Sequence, residues 1–387
     1  MDKFNVNDYR INFWNYMDSH LQGAEMVDVM HDMGCNMYMS PEHKMKPHGI
    51  ENMHAVLKRC EELNMACMVF DHRVTLKAYF RDGEEKYIEN LKLVYEDYKD
   101  FPAAEYCFVH DEPDSDEDFE GVFRTFELMR KYMPTIKPFV ALNHVGMKNE
   151  NEVPRIFDRF CNGAKPDFLL YNCYSQCLYE KEDKAQGIEN YMHNLKKFTD
   201  AGKRHNLPVW QSILLCGHMC IADPTQEQLR WQLNVGAAHG VTAFFWFHPI
   251  ELSYSYDFRG YAIDCRGNKT PRYDQVEYES FRFMSEVASK LRDYRHEETL
   301  HLHMGSTDFR MFYPGCDDVI EDLDTLHNRP LVVGKFRHKT DPDKRAVMLV
   351  NGSQTEVCYA YITLKGEKEK IKDKLYLSAG TAKIYEL

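Results

Sequence analysis

The sequence predicts an α/β protein, a (β/α)8 TIM barrel over residues 1–295 followed by a small C-terminal antiparallel β-sandwich over residues 296–387. The first observation behind this prediction is a unit that recurs eight times: a short apolar run, a polar loop and an amphipathic stretch with helical spacing. The second is the loss of the helical pattern after about Tyr294, where alternating apolar runs begin. The chain of 387 residues is also long enough for a barrel of about 250 residues with an appended module.

Each predicted barrel strand is a short apolar run rich in β-branched and aromatic residues. The eight runs are 11–14, 36–39, 66–70, 105–109, 138–142, 168–171, 208–213 and 241–247. The predicted helices are 24–33, 50–63, 86–98, 116–132, 151–161, 188–205, 225–239 and 273–292. Several of them end at a glycine, as in Met33-Gly34 and His239-Gly240. Eight such units indicate parallel strands closed into a barrel.

The C-terminal part has the pattern of an antiparallel sheet. Its predicted strands lie near 331–333, 346–350, 357–363 and 383–385, with turn signals at Asn351-Gly352 and Ala379-Gly380. No low-complexity linker separates it from the barrel, so we expect it to pack rigidly against the barrel and to have a structural role.

Composition and charge exclude several kinds of partner. The net charge of −13 argues against nucleic acid and anionic membranes, both of which require a basic face. No phosphate-binding loop or dinucleotide fingerprint is present, which argues against nucleotide or phosphosugar chemistry. The first eight residues do not resemble a secretory signal, and the 12 cysteines are scattered singly, so we expect a cytoplasmic protein. The oligomeric state stays open.

The most informative motif is His110-Asp111-Glu112-Pro113, which follows an apolar run at the end of the fourth predicted strand. Barrel enzymes hold their catalytic residues at such strand ends. A carboxylic acid beside a carboxylate can cleave a glycosidic bond, because one group protonates the leaving oxygen while the other handles the developing positive charge. The alternative is a helix start, since acids are favoured there for capping and dipole reasons.

The other strand ends supply the mixture that a carbohydrate site needs: aromatic faces to stack on sugar rings and polar groups to bind hydroxyls. The candidate substrate-binding residues are Trp14, Asp71, His110, Asn143, Tyr171, Asn172, Tyr174, Gln211, Trp246, His248 and Glu251. With the pair Asp111 and Glu112, they predict a carbohydrate as the partner.

Several stretches resemble barrel glycoside hydrolases followed by a β-sandwich module. They are Gly236-Ala237-Ala238-His239-Gly240-Val241 leading to Phe244-Phe245-Trp246-Phe247, the loop Gly260-Tyr261-Ala262-Ile263-Asp264 before Thr270-Pro271-Arg272-Tyr273, and Val333-Gly334-Lys335-Phe336 in the tail. The resemblance spans most of the chain. It implies that Glu112 is the general acid/base.

The second carboxylate is not fixed by this resemblance. The seventh predicted strand has Gln211-Ser212 where the largest group of retaining barrel enzymes has a nucleophilic glutamate. The adjacent Asp111 and Glu112 instead resemble the substrate-assisted β-N-acetylhexosaminidases, in which an aspartate orients the acetamido group of the substrate. That resemblance implies that Tyr171 or Tyr174, together with Trp246, completes the site. Asp71, Glu251 or Glu42 also remain open as a nucleophile or base.

Cysteine and histidine residues after two neighbouring predicted strands could form a metal site. Cys173 and Cys177 follow the sixth predicted strand, and Cys216, His218 and Cys220 follow the seventh. Their spacings differ from the usual zinc knuckle, so buried thiols are favoured, and we expect no metal or cofactor. The alternative function is a non-catalytic carbohydrate-binding barrel or a metal-assisted hydrolase of another class.

Overall fold

The computed structural model describes residues 8–15, 21–43, 49–145, 153–178, 184–252, 257–305, 308–366 and 369–387. Eight parallel strands form one sheet in the order β1-β8-β7-β6-β5-β4-β3-β2. They are β1 (Arg10–Phe13), β2 (Met37–His43), β3 (Ala66–Asp71), β4 (Ala104–Asp111), β5 (Lys137–Leu142), β6 (Leu169–Asn172), β7 (Val209–Leu214) and β8 (Val241–Phe247). The seam between β1 and β2 is joined through Asn36, whose backbone N donates to Ile11 O at 3.0 Å and whose Oδ1 accepts from Ile11 N at 2.9 Å. The predicted barrel is confirmed.

Helices surround the sheet in the predicted order. They are α1 (Glu25–Asp32), α2 (Gly49–Glu62), α3 (Leu76–Asp82), α4 (Glu84–Tyr98), α5 (Asp116–Tyr132), α6 (Val153–Ala164), α7 (Lys184–His205), α8 (Gln226–Ala238) and α9 (Pro271–Phe283), the last continued by a π-helical turn and a short helix to Leu291. One helix was predicted between β3 and β4, but two are present, because Gly83 adopts φ 75° and ends α3. The predicted start of the sixth helix, Asn151, lies outside the described residues.

The barrel interior is filled with side chains rather than hollow. Side chains alternate between the interior and the helices along each strand except where a bulge interrupts the register, and Met68, Phe108, Trp210 and Phe245 point inward. Phe168 stacks on Trp210 with the ring centroids 3.6 Å apart. A packed interior leaves the ends of the strands as the place where a ligand can bind.

Two sheets follow the barrel. The strands are β9 (Tyr294–Leu302), β10 (Arg310–Met311), β11 (Ile320–Thr325), β12 (Leu331–His338), β13 (Arg345–Asn351), β14 (Cys358–Lys365), β15 (Lys370–Leu377) and β16 (Ala382–Glu386). One sheet has the order β10-β9-β12-β13-β16 and the other β11-β14-β15. All pairings are antiparallel except the short one between β9 and β10. Apolar residues of both sheets, such as Leu300, Leu349 and Ile362, share one core.

The sheets pack on the barrel through α8. Trp231 donates its Nε1 to Gly352 O at 2.9 Å, and Asn234 donates its Nδ2 to Gly380 O at 2.8 Å. A Cβ at Gly380 would lie 2.7 Å from the Trp231 backbone, so this close approach requires glycine. The two turn signals found in the sequence therefore lie at the contact with the barrel.

None of the helices in the described part of the chain is long and apolar enough to cross a lipid bilayer.

Candidate active site

Asp111 and Glu112 lie at the C-terminal end of β4, and a β-bulge determines which way they point. Phe108 lies inside the barrel, as does its partner on β5. The register then shifts by one residue, so that His110 pairs with a β5 residue that faces the helices, and Asp111 pairs with Ala141, which faces the interior. The bulge therefore turns Asp111 into the barrel mouth and His110 away from it.

A single amide holds both carboxylates. Asn172, the last residue of β6, donates Nδ2 to Asp111 Oδ1 at 3.2 Å and to Glu112 Oε1 at 2.9 Å. Glu112 adopts φ 52°, and its backbone N donates to Ala141 O at 2.8 Å. Backbone conformations of this kind persist only where the surroundings hold them, and they cluster at functional sites. This carboxylate pair is the centre of the candidate site.

Asn172 also presents an unused acceptor. The residue is 8% exposed, and its Oδ1 has no hydrogen-bond partner among the described residues. A buried polar atom without a partner costs about 1–3 kcal/mol, which a bound hydroxyl or amide can recover by donating to it. This acceptor at the mouth of the barrel can therefore bind a polar ligand.

Asp111 titrates differently from an ordinary aspartate. Desolvation by the walls of the mouth, together with the smaller effect of the neighbouring charge of Glu112, raises its pKa to about 7. The hydrogen bond from Asn172 opposes this rise, because it stabilises the carboxylate. A carboxyl group that exchanges its proton near neutral pH can serve acid–base catalysis.

Ser212 connects two aromatic residues of the mouth, and sequence reasoning missed it. Its Oγ accepts from Trp14 Nε1 at 2.7 Å and lies 2.6 Å from the hydroxyl of Tyr174. The Tyr174 ring in turn stacks on Phe247 at 5.1 Å. Ser212 follows the inward Trp210 by two positions, so strand alternation could have identified it. The aromatic side of the site is thus formed by Trp14, Tyr174 and Phe247.

Two other polar candidates point toward the same mouth. Asn143 is exposed just after β5, two positions beyond the inward Ala141. Glu42 pairs with Phe70 after a register shift in β2, and Phe70 packs against the interior rings. Glu42 is therefore a further carboxylate, besides Asp111, whose position in its strand corresponds to the interior face.

Three candidates lie on the opposite face of their strands, which corrects their predicted contact with substrate. Tyr171 stacks on Phe198 of α7 at 3.9 Å, Gln211 accepts from Tyr191 at 3.2 Å, and Trp246 packs in the layer between sheet and helices. Tyr171, Gln211 and Trp246 are all 0% exposed. Each was correctly assigned to a strand end, but side chains alternate between the two faces.

Three more candidates are also held by the protein itself. His110 lies near Asp114 and Asp118 at the start of α5. His248 is 1% exposed among aromatic rings, and burial lowers its pKa to about 4. Glu251 accepts from the backbone N of Cys265 at 2.9 Å and so fixes a loop. None of these contacts places the side chain beside the carboxylate pair.

Asp71 is a buried structural charge, which corrects its predicted role. Its carboxylate is 0% exposed and accepts from Arg73 Nη2 at 2.6 Å and from Tyr98 at 2.8 Å. Although burial raises its pKa, the hydrogen bonds and charge of Arg73 outweigh this and lower it. A nucleophile in the mouth would have to be reachable by substrate, and Asp71 is not.

Replacing Arg73 with Met is expected to lower the free energy of unfolding by about 3–5 kcal/mol, because it leaves the Asp71 charge buried without its cation. The matched control is Arg81→Met, which breaks the solvent-exposed pair of Arg81 with Asp82 and is expected to cost less than about 1 kcal/mol. Urea unfolding measures both. Equal losses for the two variants would contradict the structural role of the buried pair.

The cysteine cluster considered for metal binding consists mostly of buried thiols. Burial raises the pKa of Cys173, Cys177 and Cys216. His218 packs between the rings of Phe247 and Phe258. Within the described ranges, no three His, Cys, Asp or Glu side chains are arranged to hold a metal ion.

Solved structures share this architecture. The chain is similar to Gas2p of Saccharomyces cerevisiae (TM-score 0.51, 12% identity, 71% of this chain and 61% of that one). It is also similar to the β-galactosidases of Halorubrum lacusprofundi (0.51, 14%, 72% and 58%) and of Marinomonas ef1 (0.50, 9%, 73% and 60%). The chain shares its barrel fold with glycoside hydrolases. It spans less than two thirds of each of these chains, and such low identities show the fold alone. No protein-family model and no curated protein sequence matches it.

Proposed function

We propose that the protein is a glycoside hydrolase in which Glu112 is the general acid and base and Asp111 is its partner. The observation that carries this proposal is the Asn172 amide, which binds both carboxylates and keeps a free acceptor beside them. The aromatic faces of Tyr174 and Phe247 supply the stacking surface that a sugar ring needs.

The distance between the two carboxylates limits the mechanism. Because one nitrogen donates to both, Asp111 Oδ1 and Glu112 Oε1 are at most about 6 Å apart, below the roughly 6.5–9.5 Å of an inverting pair. The two residues are also consecutive at the end of one strand, so both approach a bound sugar from the same side. A nucleophile has to come from the opposite face, which points to the substrate itself or to another residue.

We further propose that the substrate is an N-acetylhexosaminide whose own acetamido oxygen attacks. That oxygen bonds to C1 while the bond from C1 to the leaving oxygen breaks, and Glu112 gives its proton to the leaving oxygen. Asp111 accepts a hydrogen bond from the acetamido N–H, which stabilises its carboxylate and leaves the proton of the pair with Glu112. Water then bonds to C1, opens the cyclic intermediate and returns a proton to Glu112.

A nucleophilic carboxylate is the second candidate. Glu42 pairs with Phe70, which faces the interior of the barrel. Glu251 instead binds the backbone of a loop, and Asp71 forms a buried ion pair. Of the acids that the sequence left open, Glu42 therefore remains the alternative. In that mechanism the acetamido group of the substrate is dispensable.

Matched nitrophenyl glycosides distinguish these mechanisms. We expect kcat/KM for the N-acetylglucosaminide to exceed that for the glucoside by at least about 100-fold, because the glucoside lacks the built-in nucleophile. Glu42→Gln should leave this ratio and the rate on the better substrate unchanged. Equal rates on both substrates, together with loss of activity in Glu42→Gln, would replace substrate assistance by a Glu42 nucleophile. Binding of saccharides without any turnover would instead support a non-catalytic barrel.

A further inference from the structure

A cavity lies at the end of the barrel opposite the carboxylate pair. It has a volume of about 860 Å³ and lies between the N-terminal ends of the strands and the beginning of β9. Tyr9 and Arg10 of the β1 end, Gly240 before β8 and Lys203 of α7 form part of its wall, and His296 of β9 lies on the other side. This volume is within the range of small-molecule sites.

The charges that line this cavity are strongly unbalanced. Among the described residues of its wall, the cations are Arg10, Lys203, Arg292, Arg295 and Lys339 and the one carboxylate is Asp8, so four positive charges are in excess there. The whole chain carries a net charge of −13. A cationic concavity in an acidic protein concentrates anions locally.

Asp8 and Glu105 act on the charge of Arg10 at one side of the cavity. The acids near Lys203 and Arg295 are paired with other cations. Glu297 binds Arg337 and Arg345, and Glu298 binds Arg310. Asp200 pairs with Lys196.

Within the described ranges Arg292 and Arg295 form no ion pair. Their guanidinium groups are therefore available to a ligand. The charge of Arg292 also contributes to lowering the pKa of Arg10, after burial, so the cations of this wall repel one another.

The preference for cations at helix C-termini explains only some of the positive charges that line this cavity. Lys203 lies in the last turn of α7 and Arg292 directly follows the last helical residue, where cations are favoured by the helix dipole. Arg10 and Arg295 belong to strands, and Lys339 follows β12. No helix end requires a positive charge at those three positions.

We propose that this cavity binds a small molecule that carries a phosphate group. Several cations from separate segments can surround a dianion with three acceptor oxygens, and arginine forks match phosphate in particular. The site is assembled from β1, α7, β9 and two connecting segments, which explains why the sequence contains no phosphate-binding motif.

Calorimetric titration of the full chain at low ionic strength tests this proposal with glucose 6-phosphate, inorganic phosphate, citrate and glucose. We expect both phosphates to bind and glucose not to bind. Arg292→Gln and Lys203→Gln should each weaken phosphate binding at least about tenfold, since a charge-assisted hydrogen bond is lost. The matched control is Arg155→Gln, which removes an exposed arginine of α6 away from the cavity and should leave binding unchanged.

An unchanged unfolding midpoint shows that a variant has kept its fold. Tighter binding of citrate than of either phosphate, equal binding of glucose, or an equal loss in Arg155→Gln would overturn the proposal. So would the absence of any phosphate binding at millimolar concentrations. Binding is measured without turnover, so the result does not depend on the glycosidase proposal.

Discussion

Glu112→Gln is expected to reduce kcat/KM by at least about a thousandfold for glycosides with poor leaving groups, because no proton can reach the departing oxygen. Activated aryl glycosides need little protonation, so their loss should be much smaller. Gln keeps an oxygen that can accept from Asn172, and the fold should therefore be preserved. A series of aryl N-acetylglucosaminides with graded leaving groups measures this effect.

The matched control for that variant is Glu117→Gln, which changes an exposed acid in the first turn of α5. We expect it to leave kcat/KM unchanged for every leaving group. A loss in Glu112→Gln that is the same across the series would show that Glu112 is not the proton donor.

Asp111→Asn is expected to reduce kcat/KM by about 10²–10³-fold for all leaving groups alike, since Asp111 acts on the acetamido group and not on the leaving oxygen. Inhibition by a thiazoline should weaken in parallel, because that ligand resembles the cyclic intermediate. Burial and the neighbouring charge of Glu112 hold the pKa of Asp111 at about 7, so the carboxylate pair loses its last proton there. Wild-type kcat/KM should therefore fall as pH rises through this region, because the pair then has no proton to give to the leaving oxygen. In the variant this fall should no longer be centred near pH 7.

Asp114→Asn provides the comparison for Asp111→Asn, because it changes an exposed acid three positions further along the chain. It should retain the fall in kcat/KM near pH 7 and the thiazoline affinity. If leaving-group dependence appeared in Asp111→Asn instead of Glu112→Gln, the roles would be exchanged, and Asp111 would be the proton donor.

Strand positions were predictable because buried strands are apolar and are separated by amphipathic helices. All eight predicted barrel strands overlap observed ones, and the predicted α5 has the observed bounds. The predicted helix 86–98 corresponds to α4, whereas the seven-residue helix α3 before Gly83 was not predicted. In the C-terminal part, β12, β13, β14 and β16 overlap predictions, whereas β15, with its alternating lysines, lacks the apolar run that marked the others.

The face of each strand was less predictable than its position. Sequence reasoning found Asn172 and Tyr174 but included Tyr171 and Gln211, which point outward. Alternation counted from the interior residues would have excluded those two and selected Ser212. At β4 the same alternation would have assigned Asp111 to the wrong face, because the apolar pattern of a sequence does not show where a bulge occurs.

The bulge in β4 separates the part of the strand that packs the barrel interior from the part that carries the carboxylates. Below it, Phe108 keeps the alternation that packs the interior, and above it the count begins again with Asp111. The core can therefore be repacked without turning the carboxylates, and the carboxylates can be changed without disturbing the core. Val109 is the additional residue, because Phe108, His110 and Asp111 pair with three consecutive residues of β5. Deleting Val109 alone would therefore restore regular pairing and keep Asp111 opposite Ala141 in the mouth, and the strand would lose only one outward-facing side chain.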